Sequence, residues 1–434
     1  MVESTDVRTQ VFRRWPSSLR TSLFRNSFLL IMTSVLGYGL GFLFWLAVAR
    51  AYPAASVGLG ATLLGTLLFL SGVATLGLPM GIIRFLPAER DKVGLVNASF
   101  TVSGLVSLAL GLVFLAGLDL WAPALSFLRS DPLFVATYML SLLLFTFASI
   151  LDAAFVAARR AEYGMIRNTI YNVLRLPFPL AVAAVLGMFG ILFSWTVGLV
   201  VSVAFGAVLL LPRLFPGYRP APSFRRIRNL GIVGYSLWNH ASGMVGTAAL
   251  SLLPLLILHT PGGAAATAYF YAAFAFASLL YVVPGSFSTA LFVEGSHAET
   301  NYARDLRSTV WLSLGFLALG IVGAVLLGRF ILGLFGEDYA RESYETLILL
   351  VLASPIILAN TVFTTDLRVA KRVKPLLIVT AISSVATLTV AYVLLPAFGI
   401  WGAGVGFAVG QAIATPLFAL EKRGNARRSV AVRV

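Results

Sequence analysis

The sequence contains no cysteine, only three histidines and few charged residues. The absence of cysteine excludes disulfides, thiolate metal ligands and cysteine nucleophiles. The histidines, at positions 240, 259 and 297, lack the spacing of a metal site. Charged residues form 11% of the chain, whereas a soluble domain carries about 25%. The chain therefore has too little polar surface to coat a soluble globule of its size.

Hydrophobic residues, in contrast, form 59% of the chain. Many windows are apolar for long enough to cross about 30 Å of hydrocarbon as a helix. The alternating segments of about ten residues that mark a membrane β-barrel are absent. The pattern predicts an all-α polytopic membrane protein. Its twelve predicted transmembrane spans lie at 27–49, 57–82, 96–117, 134–156, 169–187, 191–212, 231–258, 266–292, 309–334, 344–366, 375–395 and 400–420.

Lysine and arginine are distributed unevenly between the two ends of these spans. Loops on the side of the N-terminus contain 27 of them, and loops on the other side contain 4. Because basic loops stay in the cytoplasm, both termini are predicted to be cytoplasmic in a cell-membrane protein. The net charge of +15 then serves orientation and contact with anionic membrane lipids, so no nucleic-acid partner is expected. The first apolar run lacks a small-residue cleavage site, which indicates a retained helix.

The two halves of the chain resemble each other, which indicates an internal repeat. The stretches that begin at Phe155 and Phe363 both read as helix end, basic turn, helix, Phe-Gly-Ile and helix, at an offset of 208 to 209 residues. Six spans per half return the chain to its starting side, so the halves are parallel repeats, as in carriers with alternating access. The predicted parts are a basic N-terminus, an N-lobe, a basic linker, a C-lobe and a basic tail, at 1–26, 27–213, 214–230, 231–420 and 421–434.

Five stretches resemble the polysaccharide-export flippases of the multidrug/oligosaccharidyl-lipid/polysaccharide (MOP) exporter superfamily. They are "SVLGYGLGFLFWLAVARAYPAASVGLGAT", "LGLPMGIIRFLP", "AYFYAAFAFASLLYVVPGSFSTALFVEGSH", "LFGEDYARESYETLILLVLASPIILANTVFTTDLRVAKR" and "LLPAFGIWGAGVGFAVG". The resemblance implies two six-helix lobes around a V-shaped central cavity. It implies a polyprenyl-diphosphate-linked oligosaccharide as cargo, moved from the cytoplasmic to the outer leaflet. It also implies glycosyltransferases and a polysaccharide polymerase as partners, and no cofactor.

Two charges lie inside the predicted spans, Asp152 in the fourth and Arg175 in the fifth. Counted from the basic loop between these spans, each lies about 10 Å inside the membrane. An Asp152–Arg175 ion pair, an arginine that extends to the interface and a cation available to cargo all fit the sequence. The third interpretation has a physical reason, because guanidinium groups match phosphate oxygens and compensate an anion in hydrocarbon. At an offset of 208 the C-lobe counterparts are neutral, Asn360 and Ser383, so a cationic patch is predicted in the N-lobe only.

Four further residues are candidates for the site. Arg84 ends the second span, where the family resemblance places cations that face the cavity, and Arg25 begins the first span. Both also fit the ordinary basic flank of a membrane helix. Asn239 and His240 lie about 13 Å inside the seventh span. His240 is a candidate for proton coupling, and the alternative is a packing histidine bonded to a neighbouring carbonyl.

Three other classes of function compete with a flippase. A drug or organic-cation exporter of the same superfamily needs a carboxylate deep in a span, and Asp152 is the one acid within a span core. A membrane glycosyltransferase or polymerase needs a long outer loop with paired acids or arginines, and no such loop occurs. A channel or scaffold does not need a two-lobe repeat. The sequence therefore favours a transporter without catalytic residues or metal.

Overall fold

The computed structural model describes residues 22–224, 231–260, 262–295, 302–369 and 372–431, and at some helical positions it describes the backbone alone. Throughout these residues the secondary structure is helical, and no strand occurs among them. Ten of the described helices are long and apolar enough to cross a membrane. The prediction of an all-α polytopic membrane protein is confirmed.

The first half of the described chain forms a bundle that we call the N-lobe. Its main helices are α1 (Ser22–Ala51), α2 (Ala54–Ala74), α3 (Leu78–Phe85), α4 (Lys92–Ala116), α5 (Pro132–Ala157), α6 (Ala161–Arg175), α7 (Phe178–Leu186) and α8 (Phe189–Ala204). Two short helices connect α4 to α5, Leu118–Trp121 and Pro123–Arg129. A π-helical turn and a last α-helical turn extend α8, Phe205–Leu210 and Leu211–Leu214.

The second half forms the C-lobe. Its main helices are α9 (Gly231–Leu258), α10 (Gly263–Gly295), α11 (Tyr302–Gly333), α12 (Tyr344–Leu352), α13 (Ser354–Val369), α14 (Val373–Phe398) and α15 (Ile400–Ala431). A short helix, Glu337–Glu342, lies between α11 and α12. Each of the twelve predicted spans corresponds to one of the main helices or to a consecutive pair of them.

Three predicted spans, the second, the fifth and the tenth, are each split into two helices. The second is interrupted between α2 and α3, where Leu76 and Gly77 have positive φ angles of 52° and 75°. The fifth is interrupted next to Pro177, between α6 and α7, because proline cannot donate the backbone hydrogen bond of a continuous helix. This span was predicted to begin at 169, but α6 begins at Ala161. The earlier start changes the depth of every side chain on α6.

The two lobes pack according to the same plan. In the N-lobe α6 contacts α1 and α8, and in the C-lobe α14 contacts α9 and α15. The turns before α8 and α15 are built on glycines of matching positive φ, Gly187 at 48° and Gly399 at 56°, a conformation that favours glycine. Gly190 donates to the Gly187 carbonyl and Gly402 to the Gly399 carbonyl, both at 3.0 Å. Equivalent residues here are therefore 212 positions apart, and the predicted offset of 208 to 209 is wrong for these helices.

The lobes meet along α2, which packs against α9 and α10, while α1 also packs against α10. Glycine allows close backbone approach at this joint. A Cβ atom at Gly58 would lie 1.7 Å from the carbonyl oxygen of Ala264, and one at Gly65 would lie 2.6 Å from that of Ser251. The largest buried apolar cluster extends across the joint. The core of the molecule therefore lies at the contact between the lobes.

Candidate functional site

Arg175 ends α6, 14 residues after the helix begins, which corresponds to about 21 Å along the axis. Its side chain is 6% exposed. The guanidinium carbon lies 4.7 Å from the ring centroids of both Phe44 and Tyr171. Nη1 donates to the Tyr171 hydroxyl at 2.9 Å, and the buried Nε has no hydrogen-bond partner. Among the described side chains, no carboxylate pairs with this arginine. Its charged group is instead contacted by two aromatic rings and a neutral hydroxyl.

Asp152 pairs with Arg167 and not with Arg175. Arg167 Nε donates to Oδ1 at 2.9 Å and Nη2 donates to Oδ2 at 2.7 Å, a bidentate geometry. Asn168 Nδ2 also donates to Oδ2, at 3.2 Å. The Arg167 side chain is 3% exposed and that of Asp152 is 36% exposed. The interpretation of Asp152 and Arg175 as an ion pair is wrong.

The depth of α6 explains this difference. Asp152 lies five residues before the end of α5, and Arg167 lies six residues after the start of α6. At 1.5 Å per residue, both are therefore about 8 to 9 Å from the loop that joins the two helices. Arg175 lies eight residues beyond Arg167, or about 12 Å deeper. The predicted start at 169 placed Arg167 in the loop and Arg175 at the depth of Asp152.

A cavity of about 360 Å³ lies between α2, α5, α6 and α8, and we call it the N-lobe cavity. Its polar wall contains Ser71, Ser149, Asp152, Arg167, Asn168 and Tyr171. The Tyr171 side chain touches the cavity and also holds Arg175 through its hydroxyl. The Asp152–Arg167 ion pair thus lies in the wall of the cavity. The Arg175 guanidinium, which has no carboxylate partner among the described side chains, lies behind the wall and is separated from the cavity by Tyr171.

A second cavity, of about 170 Å³, lies between α9, α13, α14 and α15, and we call it the C-lobe cavity. No charged residue lines it among those described. Its polar wall contains Asn360, Thr361, Thr364, Thr380, Ser383, Ser384, Thr387 and Gln411. The two cavities differ in charge although each is formed by the helices around α6 or α14.

Close contacts of two glycines show which wall residues are equivalent. A Cβ atom at Gly198 of α8 would lie 2.9 Å from the carbonyl oxygen of Tyr171. A Cβ atom at Gly410 of α15 would lie 2.7 Å from that of Ser383. This matched contact occurs at the offset of 212 found at the turns. Tyr171 and Ser383 therefore occupy equivalent positions.

The same offset pairs Arg175 with Thr387. The Cβ of Arg175 lies 3.5 Å from the position a Cβ would take at Gly198, and the Cβ of Thr387 lies 3.1 Å from that position at Gly410. The prediction that Ser383 is the counterpart of Arg175 is therefore wrong. The counterpart is nevertheless neutral, and it is 1% exposed.

His240 joins the two lobes at the end of α2. Its Nε2 lies 2.9 Å from the carbonyl oxygen of Gly72 and 3.4 Å from the hydroxyl of Thr75. A carbonyl only accepts, so Nε2 carries the hydrogen and Nδ1 is the nitrogen that can take a proton. The structure thus shows the carbonyl contact of a packing histidine. Proton coupling by His240 stays a prediction.

The other candidates lie apart from this cluster or cannot be placed. Arg84 is exposed on α3, with its guanidinium carbon 5.4 Å from the ring centroid of Phe85. The side chains of Arg25 and Asn239 lie outside the described residues. Roles of these three residues in binding or coupling stay predictions.

Sequence reasoning missed Arg167 and Asn168 because they were assigned to a loop. A spacing of four residues on α6 is the signal that could have placed them. Tyr163, Arg167, Tyr171 and Arg175 follow this spacing, and all four are buried. Residues four apart lie on one helix face, so this alternation of tyrosine and arginine predicts one inward-facing row.

Comparisons with known proteins agree with this architecture. Residues 243–393 match the MatE family, and no curated protein matches the chain. An inward-facing multidrug resistance MATE family transporter of the MOP superfamily has a TM-score of 0.67 and 16% identity, covering 92% of this chain and 96% of that one. Lipid II flippase MurJ, in an inward closed conformation, has a TM-score of 0.72 and 12% identity, covering 92% and 87%.

A third solved structure is a MOP superfamily transporter from Pyrococcus furiosus Vc1. It has a TM-score of 0.64 and 17% identity, covering 94% of this chain and 96% of that one. Its binding pocket is described as having reverse polarity, which suggested a different function for that protein. The described chain thus has the fold of these solved transporters, and residues 243–393 are similar to the MatE family.

Proposed function

We propose that the protein flips a polyprenyl-diphosphate-linked oligosaccharide from the cytoplasmic to the outer leaflet by alternating access, for cell-surface polysaccharide synthesis. The observation that carries the proposal is the surplus positive charge of the N-lobe cluster. Asp152 neutralises Arg167, whereas Arg175 has no carboxylate partner among the described side chains. A guanidinium stays charged at any depth, and a charge deep in a membrane is costly without a counter-ion. The diphosphate of the cargo would supply that counter-ion.

The surroundings of Arg175 link its accessibility to movement of the lobes. Phe44 of α1 covers the guanidinium. The next residue, Trp45, packs against Tyr271 of α10 with ring centroids 4.6 Å apart. Since α10 belongs to the C-lobe, separation of the lobes would remove the support of this aromatic cover. The cargo would then reach Arg175 only in an open conformation, as alternating access requires.

We also propose that both termini face the cytoplasm, where the glycosyltransferases that make the cargo act, and that a polymerase uses it on the other side. The absence of native cysteine simplifies a test of this orientation. A Ser429→Cys variant should react with a membrane-impermeant maleimide only after cells are broken. Labelling in intact cells would reverse the proposed orientation.

An organic-cation exporter is the second candidate, because Asp152 lines the N-lobe cavity and is 36% exposed. Its bidentate bond to Arg167 cancels the negative charge that would attract a cation. Arg175, which is separated from the cavity by the Tyr171 side chain, would repel a cation. The two candidates predict opposite effects of removing Arg175. Loss of this charge should slow a flippase of anionic lipids and accelerate an exporter of cations.

The test uses purified protein in proteoliposomes and a fluorescent polyprenyl-diphosphate glycan, followed by its accessibility to an impermeant quencher. Arg175→Ala should slow flipping by about 10- to 100-fold, as expected for a lost hydrogen bond between charged groups. Arg175→Lys should retain part of the rate, because the charge remains without the fork-shaped donors. Parallel assays with tetraphenylphosphonium measure cation export.

The matched control is Arg329→Ala. Arg329 also lies 4.7 Å from a tyrosine ring centroid, that of Tyr344, but it is exposed. This variant should flip the glycan at the normal rate. An Arg175→Ala protein that is folded and flips normally would overturn the proposal, and faster tetraphenylphosphonium export by it would favour the cation exporter.

A further inference from the structure

Five of the six hydroxyl groups that line the C-lobe cavity donate their hydrogens to the protein backbone, and Thr387 is the exception among the described residues. Ser383 donates to the carbonyl of Gly410 at 2.8 Å, and Ser384 donates to that of Val245 at 2.6 Å. Thr380 donates within its own helix, at 2.8 Å. The remaining lone pairs of these oxygens can accept hydrogen bonds. The wall is therefore rich in acceptors and carries no negative charge.

An amide cluster adds donors to this wall. Asn360 Nδ2 donates to the backbone oxygen of Gln411 at 2.9 Å and to its Oε1 at 3.1 Å. Thr415 in turn donates to Asn360 Oδ1 at 2.9 Å, which fixes the Asn360 amide. Within the described part of the chain, no protein acceptor takes the amide hydrogens of Gln411, which lines the cavity. Two neutral donors are thus available to a ligand.

The composition of the wall defines the class of ligand. Without a lysine, arginine or carboxylate among the described lining residues, the cavity offers no compensation for a charged ligand. Phe407 and Phe418 supply apolar surface next to the hydroxyls and amides. Its volume of about 170 Å³ exceeds by roughly tenfold the space that one water needs. Neutral acceptors, neutral donors and apolar faces together suit a ring with several hydroxyl groups.

The depth of the cavity matches that of Arg175. Gln411 lies 11 residues after the start of α15, and Arg175 lies 11 residues before Leu186, the end of α7. The turns that join α7 to α8 and α14 to α15 are at the same end of the molecule. Both residues are therefore about 16 Å from that end. A ligand that spans the joint between the lobes would reach both at one level of the membrane.

We propose that the C-lobe cavity is a subsite for an uncharged sugar residue of the cargo, while Arg175 in the N-lobe binds its diphosphate. This inference rests on the proposed function and names the part of the cargo that each lobe recognises. It predicts discrimination between glycans: an uncharged hexose is accepted, and a hexuronic acid is rejected because its carboxylate meets no cation in the C-lobe cavity.

The experiment measures dissociation constants by titration calorimetry, with the full chain in lipid nanodiscs. The probes are polyprenyl diphosphate, the same lipid carrying one uncharged hexose, and the same lipid carrying one hexuronic acid. The unaltered protein should bind the hexosyl lipid about tenfold more tightly than the bare lipid, the effect of one or two neutral hydrogen bonds. The uronosyl lipid should show no such gain.

Two variants test the wall. Gln411→Leu removes the donors, and Thr380→Val removes a hydroxyl with little change in shape. Each should reduce the preference for the hexosyl lipid and leave the affinity for the bare lipid unchanged. Thr247→Val is the matched control, because Thr247 is exposed, bonds within α9 and is absent from the lining. This control should keep the full preference.

The outcomes separate this inference from the proposed function. Equal affinity of the unaltered protein for bare and hexosyl lipids, or equal weakening of both in Gln411→Leu and Thr380→Val, would overturn the sugar subsite. In that case, weaker binding of bare lipid by Arg175→Ala would still support the flippase. Failure of the unaltered protein to bind any of the three lipids would overturn both.

Discussion

At equivalent positions, α6 of the N-lobe carries Tyr171 and Arg175, and α14 of the C-lobe carries Ser383 and Thr387. The backbones around these pairs are alike, since a glycine of the next long helix contacts each at the same place. One set of side chains holds a guanidinium that has no carboxylate partner among the described residues, whereas the other lines a cavity without a charged residue among those described. The difference shows that helix packing sets the location of the two sites, and a few inward-facing side chains set their charge.

The most severe test makes the lobes alike at this position. Arg175→Thr gives the N-lobe the residue of the C-lobe, and it should slow flipping of a lipid diphosphate by about 100-fold, since the charged partner of the phosphate is lost. Thr387→Val, the matched change in the C-lobe, should alter the rate by less than about threefold, because no phosphate contact is removed. Both rates come from the proteoliposome assay. Equal slowing by the two variants would contradict an asymmetric cargo site.

A second test concerns the Asp152–Arg167 ion pair, which has no counterpart among the described residues that line the C-lobe cavity. Asp152→Asn replaces the carboxylate by a neutral amide, and it leaves the Arg167 charge, 3% exposed, without an ionised partner among the described side chains. Stability should fall by about 1 to 3 kcal/mol, less than for a fully buried pair because Asp152 is partly exposed. Thermal unfolding in detergent measures the loss.

The double variant Asp152→Asn, Arg167→Gln is the control for this pair. It replaces both charges by amides, so most of the lost stability should return. A double variant that is less stable than Asp152→Asn alone would show that Arg167 also stabilises the protein through its other contact, the hydrogen bond from Nη2 to Asn168 Oδ1 at 3.0 Å.

The sequence predicts some features of the fold and the candidate site and misses others. The helices, and the absence of charge among the described residues that line the C-lobe cavity, were predictable because hydropathy and charge are properties of the residues themselves. The partner of Asp152 was not, because the polar start of α6 reads as a loop while tertiary contacts bury Arg167. The predicted offset was also wrong, because the Phe-Gly-Ile match aligned Gly190 with Gly399 by residue type alone. The glycine of positive φ that is equivalent to Gly399 in the structure is Gly187.

A third test concerns the backbone that the lobes share. A Cβ atom at Gly410 would lie 1.9 Å from the Thr387 hydroxyl and 2.7 Å from a backbone oxygen, whereas at Gly198 the nearest atom is 2.9 Å away. Alanine at either position should lower stability by about 1 to 3 kcal/mol, with the larger loss at Gly410. Gly315→Ala, where nothing lies within 4 Å, should not destabilise the protein. If Gly410→Ala lowers stability and Gly198→Ala does not, the helix packing shared by the two lobes would be limited to the turns before α8 and α15.

The smallest expected effect concerns the joint where the lobes meet. His240 of the C-lobe donates from Nε2 to Gly72 of the N-lobe, so a proton on Nδ1 would place a charge at the joint without removing this bond. A partly desolvated charge there favours separation of the lobes, since separation lets water reach it. His240→Gln keeps an amide donor but cannot titrate. We expect it to flip lipid at about half the normal rate, as for a weakened neutral hydrogen bond, and to lose the response to an imposed proton gradient. A response equal to that of the unaltered protein would remove His240 from coupling and leave it as a packing residue.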